Sequence, residues 1–375
     1  MTSIRNGLKT PSYSEHNTHE TPAQAYKRLV EDLSANAESN NGYHIDRVGY
    51  SYNGIDYSAT SYDPHHLRTY TAEVIKPDGS MRLSKVVYPK IAFIHGLACC
   101  GAYFEDQAKS VAKLGIRSKA IDLPAIPYLR DKPEELWQWQ VGAVINMFDS
   151  MSSDGNDVVL IGHSRGAQLA TYAARDIVQS GNKHLAGLML QGPAIAEAIR
   201  VKTIKSGLGK SAFVGINSLR HHPGRGSSLM LDIARVVLSR IEQTKTEARQ
   251  AMSYSIRDII MQELKAIPID IEYARGDEFT EDMYNFVINL LEEASAQDER
   301  IKPLTVIDRS NTNHMLSAPA SIRSDIATLS DPRMSSGHIL AFLQSAVDLY
   351  SPPVIRYNDD SGNYESYRYP VQEVS

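Results

Sequence analysis

The stretch of the sequence with the clearest chemical meaning is a serine flanked by glycines at the end of a short apolar run. Residues 158–161 are apolar and mostly β-branched, which is typical of a buried strand, and the chain continues as Gly162-His163-Ser164-Arg165-Gly166. From Gly166 to Ile177, small and apolar residues recur at helical spacing. In such a strand-to-helix turn the serine is strained and exposes its hydroxyl, while both glycines let the strand and helix approach each other. Gly-x-Ser-x-Gly also occurs in ordinary turns, but these flanking elements predict that Ser164 is a nucleophile.

Two further residues could activate this hydroxyl, and each follows a predicted strand. Asp277 comes after the strand-like segment 267–273 and before an amphipathic helix, and His314 comes shortly after the segment 304–307. A serine hydroxyl needs a base near neutral pH, and imidazole has a suitable pKa both for taking that proton and for protonating the leaving group. A carboxylate can fix the tautomer of the imidazole and balance its charge. These residue types could therefore carry out nucleophilic catalysis together.

Strands and helices that could position these residues alternate along the chain. Segments 43–52, 68–76 and 81–87 have a period of two and predict an antiparallel start to the sheet. The alternation that follows predicts a mainly parallel sheet with right-handed crossovers, which is an α/β architecture. Its predicted strands are 90–94, 117–121, 158–161 and 185–191, and its predicted helices are 133–150 and 164–179.

A long insertion interrupts this pattern. Residues 194–267 contain 12 Lys and Arg against 6 Asp and Glu, whereas the whole chain has a net charge of −5. Helical periodicity in their middle predicts a helical cap or lid, and the basic charge could steer an anionic or amphiphilic substrate, although a solvated helical face explains it more simply. The predicted parts of the chain are a flexible N-terminal extension that could hold a helix (1–42), a core (43–193 and 268–350), the cap (194–267) and a C-terminal tail (351–375).

The order of Ser164, Asp277 and His314, with His95-Gly96 after an earlier predicted strand, resembles the α/β-hydrolase superfamily over about residues 45–350. The resemblance implies an α/β-hydrolase fold, with a mostly parallel sheet flanked by helices and a helical cap. It also implies a Ser-His-Asp triad that cleaves a carboxylic ester, thioester or amide through an acyl-enzyme. The backbone N–H groups of Leu97 and Arg165 would form the oxyanion hole, and the residues expected to support the site are His95, Gly96, Gly162 and Gly166.

Several alternatives stay open at this stage. Glu278 is the nearest rival to Asp277 as the triad acid, and Asp282 and Glu197 are more distant ones. The same triad could serve an acyltransferase, a haloperoxidase-like enzyme or a hydrolase of carbon–carbon bonds. A non-catalytic member of the fold could instead keep these residues as a ligand pocket.

Composition limits the remaining classes of function. The negative net charge gives no footprint for nucleic acid, and no apolar run is long enough to span a bilayer. The polar N-terminus lacks the apolar core of a signal peptide, so a cytoplasmic location is expected. The histidine pairs at 65–66 and 221–222 lack the spacing of zinc ligands, so no metal and no cofactor are expected. The expected partner is a small acyl ester or an amphiphile.

Overall fold

The computed structural model describes residues 42–75, 81–97, 99–129, 131–196, 241–274, 283–296, 304–308, 338–343, 354–358 and 363–367. The strands in this part of the chain are β1 (Tyr43–Tyr52), β2 (Ile55–Pro64), β3 (Thr69–Ile75), β4 (Met81–Val87), β5 (Lys90–Ile94), β6 (Ser118–Asp122), β7 (Val158–His163), β8 (Leu185–Gln191), β9 (Ile269–Tyr273), β10 (Leu304–Asp308), β11 (Val354–Asn358) and β12 (Asn363–Tyr367). The helices are α1 (Glu105–Lys113), α2 (Pro133–Ser152), α3 (Arg165–Gln179), α4 (Ile241–Ala251), α5 (Met283–Ala296) and α6 (338–343). Short 3-10 turns cover Gly101–Phe104 and Pro127–Leu129, and a π-helical turn covers Ile259–Glu263.

The main sheet has ten strands in the order β1-β2-β6-β5-β7-β8-β9-β10-β11-β12. The seven strands from β6 to β11 in this order run parallel, and antiparallel pairing is confined to β1, β2 and β12 at the two ends. The mostly parallel α/β sheet predicted from the sequence is therefore confirmed. Because parallel strands share one carboxyl edge, β5, β7, β9 and β10 all end on the same side of the sheet.

The antiparallel start of the sheet differs from the prediction. β1 pairs with β2 across a two-residue turn in which Asn53 and Gly54 both have positive φ. Asn-Gly is the strongest short signal for such a hairpin, so the sequence did contain the evidence for β2. The predicted strands at 68–76 and 81–87 form a separate two-stranded sheet of β3 and β4, and the prediction that they open the main sheet is wrong.

The core lies on both faces of the sheet. One face packs against α2, α3 and α5, and the other packs against α1 and α6. On α3 the contact is made by small residues that are fully buried, which lets this helix lie close to β7: Ala167, Ala170, Ala173 and Ala174. At the C-terminal end of the chain, β11 and β12 extend the sheet into the segment that the sequence left as a tail.

Strand β9 carries two carboxyl groups into the core. Asp270 and Glu272 are both fully buried, while Ile269, Ile271 and Tyr273 point to the opposite face. Among the described residues, no side chain donates a hydrogen bond to either carboxylate oxygen of Asp270. Burial raises the pKa of Asp270 well above its usual value, and the nearby Glu272 raises it further.

We expect Asp270→Asn to stabilise the protein more at pH 7 than at pH 4. In the unfolded chain Asp270 releases its proton at the usual pKa, whereas the folded chain holds it at the raised pKa, so wild-type stability is lost as the pH rises between the two. The asparagine variant lacks this loss. Urea denaturation at both pH values would measure the difference, with the exposed Asp56→Asn as the control. A difference between Asp270→Asn and wild type that is equal at both pH values would contradict this account.

Candidate active site

Ser164 occupies the turn between β7 and α3 in a strained backbone conformation, with φ 54° and ψ −123°. A residue with a Cβ rarely adopts positive φ, and such strain costs about 1–3 kcal/mol and persists only where the surroundings enforce it. Here the N–H of Ser164 donates to the carbonyl of Gln191 (2.9 Å), and the Ser164 carbonyl accepts from the N–H groups of Ala167 (3.0 Å) and Ala194 (3.1 Å). This is the local geometry that the sequence predicted. The role of Ser164 as a nucleophile stays a prediction.

Three glycines allow the backbone segments around Ser164 to touch. A Cβ on Gly162 would lie 2.4 Å from the carbonyl oxygen of Gly166, and a Cβ on Gly166 would lie 2.2 Å from that of Ile94. A Cβ on Gly96 would lie 2.9 Å from the Cβ of Ser164. The turn, the start of α3 and the loop after β5 are therefore packed backbone against backbone, and side chains at these positions would push them apart.

His95 ties the loop after β5 to the loop after β6. Its ring is buried, with Nδ1 2.9 Å from the carbonyl oxygen of Gly96 and Nε2 3.3 Å from the N–H of Leu123. Because the Leu123 N–H can only donate, Nε2 accepts and the proton lies on Nδ1, which donates to Gly96. One neutral tautomer satisfies both contacts. Leu97, whose N–H is expected to contribute to the oxyanion hole, follows directly and is half-buried.

A row of buried polar side chains crosses the sheet beside Ser164. The strand register aligns His163 of β7 with Gln191 of β8, and Gln191 with Glu272 of β9. Gln191 Nε2 donates to Oε2 of Glu272 (2.8 Å), and the His163 ring stacks on Tyr103 with centroids 4.3 Å apart. This row fixes the end of β9 relative to the residue whose carbonyl holds Ser164. The sequence reasoning missed it, although polar residues at the ends of otherwise apolar strands are a signal that could have found it.

The predicted acid and base each follow a strand of the main sheet. In the sequence, Asp277 lies between β9 and α5, and His314 follows β10. Both residues lie outside the described residues, as do the rival acids Glu278, Asp282 and Glu197. Their strands end on the same edge of the sheet as β7, with β9 two strands away and β10 three strands away. Their roles in a triad stay predictions.

Arg165, the first residue of α3, makes side-chain contacts that the sequence did not predict. Its side chain is only 3% exposed and contacts Gln140 of α2 and Gln250 of α4. The insertion thus reaches the residue next to Ser164 through α4. Residues 197–240, the rest of the inserted chain before α4, lie outside the described residues.

Among the residues that the structure describes, no group of three or more His, Cys, Asp or Glu side chains is placed to hold a metal ion. No helix within the same ranges is both long and apolar enough to cross a membrane.

We expect Gly166→Ala to destabilise the protein. An alanine in a helix is ordinarily more favourable than a glycine by about 1 kcal/mol, but here the new Cβ would meet the backbone oxygens of Ile94 and His95 at 2.2 Å and 2.5 Å. Overpacking against backbone reverses the sign, with an expected loss of about 1–3 kcal/mol in the free energy of unfolding. Urea denaturation would measure it. Gly49→Ala, where a Cβ would meet nothing within 4 Å, is the control, and equal stability of the two variants would contradict the account.

Comparison with known proteins identifies the fold. No family model matches the sequence, and no curated protein matches it. Among solved structures, a membrane phospholipase A described as a bacterial virulence factor matches with a TM-score of 0.51 at 13% identity, covering 87% of this chain and 92% of that chain. A thermostable esterase from Pseudomonas putida ECU1011 matches with a TM-score of 0.50 at 12% identity, covering 88% and 91%. Together with the observed strand order, these matches show that the protein has the α/β-hydrolase fold.

Proposed function

We propose that the protein is a serine hydrolase that cleaves a carboxylic ester, thioester or amide through an acyl-enzyme. The observation that carries this proposal is the strained Ser164 at the strand-to-helix turn. Backbone strain of this kind is concentrated at functional sites, and a half-buried serine on a strand-to-helix turn is placed to offer its hydroxyl as a nucleophile. The two matching structures described above are a phospholipase and an esterase, and ester cleavage by this chain is proposed in line with them.

The proposed reaction has two halves. The Ser164 hydroxyl attacks the carbonyl carbon of the substrate while His314 takes the hydroxyl proton, and Asp277 holds the imidazole and balances its charge. The tetrahedral intermediate collapses when His314 gives that proton to the leaving group, which departs as the free alcohol, thiol or amine. In the second half, a water molecule that gives its proton to His314 attacks the acyl-enzyme. The carboxylic acid is released, and Ser164 regains its proton.

The start of α3 supports the negative charge that develops in this reaction. α3 is 15 residues long, and its N-terminus begins directly after Ser164 with no acidic residue in the first turn. The N–H groups of the first turn of a helix carry a partial positive charge that favours an anion there. The N–H of Arg165 is the first of these groups, and with the N–H of Leu97 it would hold the oxyanion. Each such donor is worth about 3 kcal/mol of transition-state stabilisation.

We expect wild-type protein to react with a fluorophosphonate probe and to release p-nitrophenol from short acyl esters. Ser164→Ala should abolish the labelling and reduce turnover to the background rate, because no other group would form the covalent adduct. Ser153→Ala, which changes an exposed serine after α2, should behave as wild type. Wild-type protein that neither labels nor turns over would indicate a ligand-binding protein. Transfer of the acyl group to added alcohols in preference to water would indicate an acyltransferase.

The identity of the acid can be tested with two adjacent substitutions. If Asp277 holds the base, Asp277→Asn should lower kcat by about 10³- to 10⁴-fold because the imidazole loses its tautomer and its counter-charge. Glu278→Gln should lower kcat far less. Steady-state kinetics on the same ester would compare the two variants. Equal losses, or a large loss only in Glu278→Gln, would move the assignment to Glu278.

A further inference from the structure

The guanidinium of Arg165 is held on three sides. Nη2 donates to Oε1 of Gln140 on α2 and to Oε1 of Gln250 on α4, the latter at 2.6 Å. The guanidinium carbon also lies 5.3 Å from the ring centroid of Trp137, in cation–π geometry. An arginine is rarely as buried as this one unless its charge is compensated.

A carboxylate of the insertion is linked to this guanidinium through the Gln140 amide. Glu247 on α4 is 4% exposed, and its Oε1 accepts hydrogen bonds from Nε2 of Gln140 (2.7 Å) and Nε2 of Gln243 (2.9 Å). The amide of Gln140 therefore bridges the Arg165 cation and the Glu247 carboxylate, accepting from one and donating to the other. Gln243, Glu247 and Gln250 recur at intervals of four and three along α4, so they form one polar stripe that faces the core.

A second set of contacts joins the same part of the insertion to α3 without involving Arg165. Gln168 Nε2 donates to the carbonyl oxygens of Ala251 and Tyr254, both at 2.9 Å. The hydroxyl of Tyr172 donates to the carbonyl oxygen of Ser255 (3.0 Å). These contacts hold the end of α4 and the residues after it in place. The contacts of Arg165 are therefore not the sole means of attaching this segment.

The position of Arg165 in the chain gives its contacts a further consequence. The peptide group that joins the strained Ser164 to Arg165 carries the N–H expected to face the oxyanion. An oxyanion donor is effective only when it is held within about 0.5 Å of its productive position. A side chain clamped between α2, α4 and the Trp137 ring fixes the Cα of Arg165, and with it the direction of that N–H.

We propose that Arg165 is a positioning residue through which α4 of the insertion sets the geometry of the oxyanion hole. This inference rests on the proposed function. The Gln140 and Gln250 amides hold the guanidinium, Glu247 balances its charge, and the backbone N–H of the same residue is thereby aimed at the reacting carbonyl. The insertion thus contributes to the chemical step as well as to any contact with substrate.

The test compares variants that loosen α4 with and without releasing Arg165. Arg165→Met and Gln250→Met should each lower kcat by about 10- to 100-fold, part of the loss expected for one oxyanion donor, and should change KM by less than about threefold. Tyr172→Phe, which loosens the same segment, should change kcat by less than about twofold. Rates are expressed per site titrated with fluorophosphonate, so that misfolded protein does not contribute. The double variant of Arg165 and Gln250 should be no slower than Arg165→Met alone, because the effect of Gln250 on kcat passes through its hydrogen bond to Arg165.

Arg165→Lys separates the effect of the side-chain contacts of Arg165 from the effect of its positive charge. Arg165→Lys keeps the positive charge but cannot reproduce the fork of donors, so its kcat should stay close to that of Arg165→Met. Full activity of Arg165→Lys, equal effects of Gln250→Met and Tyr172→Phe, or additive losses in the double variant would each overturn the inference while leaving an active wild-type hydrolase. If Arg165→Met does not fold, the comparison of Gln250→Met with Tyr172→Phe decides the question. A wild-type protein without ester hydrolysis would overturn both proposals together.

Discussion

The site depends on one backbone constraint, which is the positive φ of Ser164. That conformation is unfavourable by itself, and it persists because strand β7, helix α3 and the loop after β5 touch through backbone atoms at Gly162, Gly166 and Gly96. The parallel sheet supplies the rigid frame, since the carbonyl of Gln191 on the neighbouring strand accepts the Ser164 N–H. Packing of the core thus offsets the backbone strain at Ser164. The proposed hydrolase chemistry rests on this constrained turn.

Polar groups buried next to this frame have different consequences for stability and for function. No side chain in the described part of the chain donates to the carboxylate of Asp270, and its raised pKa makes it a cost to the fold at neutral pH. Arg165 and Glu247 are also buried, but hydrogen bonds through the Gln140 amide link the guanidinium to the carboxylate. The difference lies in the partners, because the desolvation cost of a charge is offset only where hydrogen bonds and a counter-charge meet it. A compensated charge beside the proposed nucleophile can position a catalytic group.

The sequence was sufficient for those features that depend on local pattern. The apolar run 158–161 followed by two glycines around Ser164 predicted the turn, and the alternation of strands and helices predicted the parallel sheet. The sequence pattern could not predict the separate pairing of β3 with β4, because strand partners depend on tertiary packing that a period of two does not encode. Nor could it predict the contacts of Arg165, since Gln140 and Gln250 lie 25 and 85 residues away in the chain. Their glutamine side chains have no sequence signature that distinguishes a buried clamp from a solvated helix face.

The central claim is that Ser164 forms a covalent acyl-enzyme, and trapping that intermediate tests it most directly. Wild-type protein mixed with excess p-nitrophenyl ester and quenched in acid within the first turnover would be digested and its peptides weighed by mass spectrometry. The account predicts the added mass of one acyl group on the peptide that contains Ser164, formed in step with the first burst of p-nitrophenol. Turnover with no acylated peptide, or acylation of a different residue, would contradict it.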